Sequence, residues 1–200
     1  EGIEYETHIN MVGRYNVYNY LTALMLVKNL GFSIDELLNL NETLSAPKGR
    51  MEMIKYGTNS IFVDYAHTPD AVINVLKSSE EYKEGKVITI VGCGGDRDRT
   101  KRPIMGHAAE EYSDYVIYTS DNPRTEDPNL IIKDILEGVE KDNHEVIVDR
   151  KEAILKGMSM LQDKDILMIL GKGHEDYQII GKEKHHFSDQ EIVLDYIKEH

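Results

Sequence analysis

Tyr115-Val116-Ile117-Tyr118-Thr119-Ser120-Asp121-Asn122-Pro123-Arg124-Thr125-Glu126-Asp127-Pro128 reads as a strand, a polar loop and a helix start in direct succession. The run from Tyr115 to Thr119 is aromatic and β-branched, the composition of a buried strand. Asp127-Pro128 opens a helix, with an acidic cap and a proline at the first helical position. An acid, an amide, a rigid proline and a guanidinium therefore share one loop at a strand's C-terminal end. In an open α/β sheet that is where ligands bind. Arginine suits a carboxylate or phosphate held by two parallel hydrogen bonds. A plainer reading is a proline turn with Asp121 as its cap and Arg124 facing solvent.

The same strand–loop–helix unit recurs on both sides of this stretch. Met51 to Tyr56 and Ile61 to Tyr65 read as strands joined by the turn Gly57-Thr58-Asn59, and Thr68-Pro69 starts a helix. Val87 to Gly92 is a strand followed by a glycine-rich loop, and Pro103 opens the next helix. Val146 to Val148 and Ile166 to Leu170 read as strands flanking a helix from Glu152 to Leu161. Gln178 to Phe187 reads as a hairpin around Gly181, and Ser188 with Glu191 caps the last helix. Strands alternating with helices predict an α/β fold, a Rossmann-like, mostly parallel sheet covered by helices on both faces. Upstream, Tyr5 to Val12 looks like a short strand. Asn16 to Leu30 has helical periodicity ending at Gly31, and Ser33 with Glu36 forms a capping-box pattern. The turn formers from Ser45 to Arg50 place a domain boundary there, with one domain over residues 1–46 and a second over 47–200. The chain opens at Glu1, already in strand-like sequence, which predicts a piece of a longer protein.

Composition narrows the function classes. A formal net charge of -13 argues against nucleic acid as a partner, since phosphate backbones require a basic face. The single cysteine, Cys93, excludes an internal disulfide and fits a reducing, cytoplasmic setting. No apolar run approaches the roughly 20 residues of a membrane span, and no signal peptide is visible.

Three further loops carry candidate chemistry. Gly92 to Arg102 combines glycines, which let backbone approach a ligand, with Arg97, Arg99, Lys101 and Arg102. It lacks the dinucleotide fingerprint, and a surface loop with internal Asp–Arg pairs would carry the same residues. Gly171-Lys172-Gly173-His174-Glu175 follows the strand ending at Leu170. Adjacent His174 and Glu175 make a poor metal pair, so no metal site is expected, and Glu175 suits a ligand ammonium better. Asp64-Tyr65-Ala66-His67-Thr68-Pro69-Asp70 places an acid and a histidine at another strand-to-helix junction, where a helix-capping turn with a surface histidine is the alternative. The chain contains neither a Gly-x-x-x-x-Gly-Lys-Ser/Thr phosphate loop nor a Gly-x-Ser-x-Gly nucleophile elbow.

Taken together, Pro47 to Glu52, Asp64 to Asp70, Gly92 to Pro103, Asp121 to Glu126 and Gly171 to Tyr177 resemble, in order and spacing, the C-terminal part of the Mur ligases, specifically the branch that adds the third amino acid in peptidoglycan synthesis. Gly13 to Asn19 resembles the end of that family's central ATPase domain. The resemblance implies an ATP- and Mg2+-dependent, amide-forming ligase. In that family ATP phosphorylates the carboxylate of UDP-N-acetylmuramoyl-L-alanyl-D-glutamate, and the amine of the incoming amino acid attacks the acyl phosphate. Asp-Asn-Pro-Arg is the form associated with meso-diaminopimelate. The resemblance implies that Arg97, Asp121, Asn122, Arg124, Gly171 and Glu175 bind this amino acid, and that Asn19, Arg50, Asp64 and His67 lie near the nucleotide. It places the phosphate loop, the metal ligands and the UDP-sugar domain upstream, so the chain alone is expected to be inactive, with no catalytic residue of its own. The alternatives are a non-catalytic amino-acid-binding module of the same fold and a related glutamate-adding ligase. The pairing of Asp-Asn-Pro-Arg with Gly-Lys-Gly-His-Glu argues against the latter.

Overall fold

The computed structural model describes residues 2–200. The chain divides into two compact units, Glu1–Pro47 and Lys48–His200. The first holds helices α1 (Arg14–Asn29) and α2 (Ile34–Leu38). The Ser33 hydroxyl accepts from the Glu36 amide at 3.2 Å while the Glu36 carboxylate accepts from the Ser33 amide at 3.0 Å, so the expected capping box forms. The expected strand from Tyr5 to Val12 does not. Only Asn10 bridges, to Ser45, because no second strand exists among the described residues of this unit to extend the ladder. On α1, Tyr18, Leu21, Met25 and Leu26 remain exposed.

The second unit is a six-stranded sheet in the order β1-β2-β6-β3-β4-β5. The strands are β1 (Glu52–Tyr56), β2 (Asn59–Asp64), β3 (Val87–Val91), β4 (Tyr115–Tyr118), β5 (His144–Val146) and β6 (Ile166–Leu170). Only β1 runs antiparallel, joined to β2 by a tight turn; the other pairs are parallel. Every residue of β3 and β6 is buried, as near-continuous apolar sequence interrupted only by Thr89 requires when helices cover both faces.

Helix α3 (Pro69–Glu80), α4 (Lys101–Glu111) and α5 (Pro128–Leu136) pack side by side. On the other face α6 (Arg150–Met160) and α7 (Asp189–Glu199) contribute Ala153, Ile154, Met158 and Val193 to a core with Ile61, Ile88, Ile90, Leu167 and Ile169. A separate hairpin, β7 (Tyr177–Ile180) and β8 (Glu183–His186), turns at Gly181. Most expected boundaries shift by one or two residues, the second strand for instance starting at Asn59 and α6 at Arg150, and two shifts have a clear physical reason. The fifth strand is His144–Val146, because register pairs Val116 with His144 and Tyr118 with Val146; Ile147 and Val148 make only edge bonds beyond the ladder. Helix α4 starts at Lys101, so Pro103 sits inside its first turn, where a missing N–H costs nothing.

Register fixes where the loops emerge. Asp64 pairs with Leu170 and Val91 with Tyr118, and Ile90 lies beside Ile169. The C-terminal ends of β2, β6, β3 and β4 are therefore neighbours along one edge. The chain leaves β3 outward to β4 and β5, then returns to insert β6 between β3 and β2. That reversal opens a crevice at the carboxyl ends of the strands.

Candidate acceptor-binding cavity

The loops after β2, β3, β4 and β6 surround one cavity of about 440 Å³, and Arg97, Asp121, Asn122, Arg124, Gly171 and Glu175 all line it. Backbone contacts explain how the loops come so close. A Cβ on Gly95 would lie 1.9 Å from the Pro123 carbonyl oxygen, and one on Gly94 would lie 2.9 Å from Arg124 Nη1. The glycines of the first loop thus admit the neighbouring loop, a role that the sequence assigned to a ligand. The Gly95 amide donates to the Asn122 carbonyl at 2.9 Å across the same junction.

Arg124 is half-buried and has left-handed backbone, φ 51°. Its amide donates to the Ile179 carbonyl at 3.0 Å, and its own carbonyl accepts from the Gly181 amide at 2.7 Å. The hairpin therefore staples this residue in place. Its Nη1 donates to the Gly95 carbonyl at 2.8 Å and to the Asn122 carbonyl at 3.4 Å. No hydrogen-bond partner holds Nε or Nη2 among the described residues, and the guanidinium lines the cavity. This arrangement replaces the reading of a turn with a solvent-facing arginine.

The other basic residues of the first loop divide in two. Arg99 forms a two-pronged pair with Asp134, at 2.9 Å for both bonds. Buried Arg102 bridges Glu126 at 2.8 Å and Asp134 at 2.7 Å; its hydrogen bond holds the Glu126 carboxyl below the usual range, and the bonds from Arg99 and then Arg102 do the same for Asp134. Arg97 is exposed, makes no ion pair among the described residues, and lines the cavity. The first loop therefore does contain carboxylate–arginine pairs, but with partners on α5 and its approach.

Asp121 also lines the cavity. It is buried, and a Cβ on Gly171 would sit 2.5 Å from its Oδ2, so only glycine lets β6 end against this carboxylate. Burial pushes the Asp121 carboxyl above its usual range, opposed by the charges of Arg150 and Lys172. Two site residues escaped the sequence reading. Lys172 contacts Asn122 and Glu175, and Arg150 forms a fully buried pair with Asp189, with both of its bonds at 2.8 Å. A lysine between two glycines directly after an all-apolar strand was the available signal for the first; nothing marked the second.

A raised carboxyl binds its proton more tightly in the folded than in the unfolded chain. Its burdening of stability is absent below the unfolded value near pH ~3.9 and grows as pH rises through the folded value. Asp121→Asn should therefore stabilise the chain by about 1–3 kcal/mol at pH 7 and by progressively less toward pH 4. Melting curves across that interval check the sign, and a gain that does not shrink with acid would contradict it.

Arg50, Asp64 and His67 meet at the end of β2. The Arg50 guanidinium lies 4.9 Å from the centre of the Tyr65 ring, and the His67 ring is 4.5 Å from it. His67 also lines the cavity, while its Nδ1 is 2.8 Å from the Tyr65 carbonyl. Asp64 is turned inward. It accepts from the Met51 amide at 2.7 Å and the Ala66 amide at 2.8 Å, and burial pushes its carboxyl up. Its visible work is to anchor the segment that carries Arg50. Asn19 lies exposed on α1 in the first unit. Cys93 is buried with its thiol pushed up to about 12, chiefly by that burial, so it is no nucleophile. Among the described residues no three His, Cys, Asp or Glu side chains cluster as a metal site, and no helix is long and apolar enough to cross a membrane.

Residues 49–173 match the family model described as Mur ligase, glutamate ligase domain. The chain is 46% identical over 201 residues to UDP-N-acetylmuramoyl-L-alanyl-D-glutamate–2,6-diaminopimelate ligase 1 of Clostridium acetobutylicum, covering 99% of this chain and 42% of the relative. It is 50% identical over 191 residues to the similarly named ligase of Clostridioides difficile, covering 92% of this chain and 39% of the relative. A solved structure of a UDP-N-acetylmuramoyl-L-alanyl-D-glutamate–2,6-diaminopimelate ligase superposes with a TM-score of 0.78 at 40% identity, over 98% of this chain and 40% of that one. The chain thus spans about two fifths of the length of the relatives it matches.

Proposed function

This chain belongs to the Mur ligase family, and on that premise we propose that it is the acceptor-binding part of an ATP-dependent ligase that joins meso-diaminopimelate to UDP-N-acetylmuramoyl-L-alanyl-D-glutamate. The observation that carries the proposal is the arrangement of opposite charges around one cavity. Arg97 and Arg124 line it together with Asp121 and Glu175. Diaminopimelate differs from lysine by a second carboxylate at its distal centre. Arg124, with two nitrogens uncommitted, can grip that carboxylate bidentately, and Arg97 can take the other. Glu175 and the Gly171 carbonyl receive the distal ammonium, and Asn122 shapes the same wall. Lysine would leave Arg124 unpaired in a half-buried site, which is the costly outcome that gives selectivity.

The amine of the bound amino acid is the nucleophile, and the cavity's part is to hold it in place while the donor carboxylate is activated as an acyl phosphate. The nucleotide and Mg2+ belong to the complete ligase. Arg50 and His67, arrayed on Tyr65 beside the cavity, are assigned to the nucleotide side, with Asp64 as their anchor; Asn19 carries the same assignment from the family likeness alone. The described residues offer no metal cluster, and no metal-dependent step is assigned to them. The chain alone should not ligate, and the complete enzyme acts in the cytoplasm.

Competition decides the acceptor. With the complete ligase, ATP, the UDP-muramoyl dipeptide and equimolar meso-diaminopimelate and lysine, the product should be almost entirely the diaminopimelate tripeptide. Comparable incorporation of lysine would overturn the assignment, and ligation by the 200-residue chain alone would overturn its division of labour.

A further inference from the structure

Lys172 has no part in the reading above, yet its side chain is wholly buried. A buried ammonium is costly unless its charge and its N–H groups are met. Its Nζ lies 3.3 Å from Glu175 Oε2 and 3.2 Å from Asn122 Oδ1. The rings of Tyr177 and Phe187 flank it, with centres at 5.7 and 5.9 Å, and their π faces add a weaker attraction. Lys172 does not line the cavity; Asn122 and Glu175 do. It therefore reaches a ligand only through them.

The Asn122 amide makes the dependence specific. Its Oδ1 accepts from Lys172 Nζ and, at 2.9 Å, from the Ile179 amide. Its Nδ2 donates to Glu175 Oε2 at 2.8 Å. A flipped amide would set its NH2 against two donors and its oxygen against a carboxylate, so this orientation is the one that all three partners satisfy. Glu175 Oε2 thus receives two hydrogen bonds, and Oε1 faces the Tyr177 hydroxyl at 3.3 Å. The carboxylate has little freedom left to rotate.

We infer that Lys172 is the positioning residue of the acceptor site: from behind the cavity wall its ammonium orients the Asn122 amide and the Glu175 carboxylate for the ligand's ammonium group. It also balances one of the two carboxylates, Asp121 and Glu175, that face the cavity. The inference rests on the acceptor reading above for its ligand, though the orienting contacts do not.

The test has two arms. In the complete ligase, Lys172→Met should raise KM for meso-diaminopimelate at least tenfold while KM for ATP stays within twofold; a purely structural role would move both together. In the 200-residue chain, the Asn122 side-chain amide protons, read by NMR, should lose protection from exchange in the same variant, with the melting transition retained. Should Lys172→Met fail to fold, Lys172→Gln keeps N–H donors without the charge and should shift both readouts in the same direction, by less. If the wild-type ligase uses lysine as well as diaminopimelate, the acceptor reading falls, and the amide arm still decides Lys172. An unchanged Asn122 amide overturns the inference, as does an unchanged diaminopimelate KM in a diaminopimelate-selective enzyme.

Discussion

Replacing Arg124 with alanine should raise KM for meso-diaminopimelate in the complete ligase about a hundredfold, with KM for ATP nearly unchanged. A hydrogen bond to a charged partner contributes about 1.5–3 kcal/mol, so losing a two-pronged pair removes about 3 kcal/mol, and each 1.4 kcal/mol is a factor of about ten. Part of the loss is indirect, because Arg124 Nη1 also holds the Gly95 carbonyl of the neighbouring loop. Two further variants separate the contributions. Arg124→Gly accepts the left-handed backbone freely and preserves the bonds to Ile179 and Gly181, so a defect as large as alanine's isolates the guanidinium. Arg124→Lys keeps the charge but not the planar fork and should recover only a minor part of the affinity. Equal rises in both KM values, or full activity in Arg124→Lys, would remove the basis for the acceptor assignment.

The second large effect falls on stability. Asp189→Ala strands the Arg150 guanidinium, which is wholly buried with that carboxylate as its ion partner. Breaking such a pair from one side costs about 3–5 kcal/mol, which for a chain of this size lowers the melting temperature by about 10 °C. Replacing both members, Arg150→Met with Asp189→Leu, should restore most of the loss, since matched apolar side chains avoid burying ions. That repaired protein should still be impaired. Of the charges around Asp121, Arg150 opposes its burial most and Asp189 adds to it least, so with both removed the Asp121 carboxyl rises further. The acid limb of the diaminopimelate KM profile should therefore lie at higher pH in the double variant than in the wild type. A double variant as unstable as Asp189→Ala, or one whose acid limb does not move, would contradict this account.

Much of the architecture could be read from local chemistry. Thr68-Pro69 and Asp127-Pro128 marked helix starts correctly, because the cap is a contact within a few residues: Thr68 accepts from the Ala71 amide and Asp127 from the Asn129 amide. Ile166 to Leu170 could be bounded because an apolar run ends abruptly at Gly171. The insertion of β6 between β2 and β3 could not, since it depends on pairing between strands far apart in sequence. The same distinction runs through the site. Asp121, Arg124 and Glu175 stood out as polar residues on strand-end loops. Arg150 did not, because its partner Asp189 lies on another helix and neither carries a local signature. Lys172 was in view within its loop, but its burial follows from the packing of Tyr177 and Phe187, which sequence spacing does not reveal.

The staple between Arg124 and the hairpin bears on how acceptor choice could be re-engineered. Exchange of Arg124 alone changes a side chain but leaves its Cα trace dictated by Ile179 and Gly181. A foreign loop grafted over residues 121–124 would arrive without the hairpin edge to which its backbone must bond. Loop and hairpin, separated by more than fifty residues of chain, form one transplantable cassette. A swap that moves both segments should carry selectivity with it, whereas a swap of either half should yield a folded enzyme that discriminates poorly.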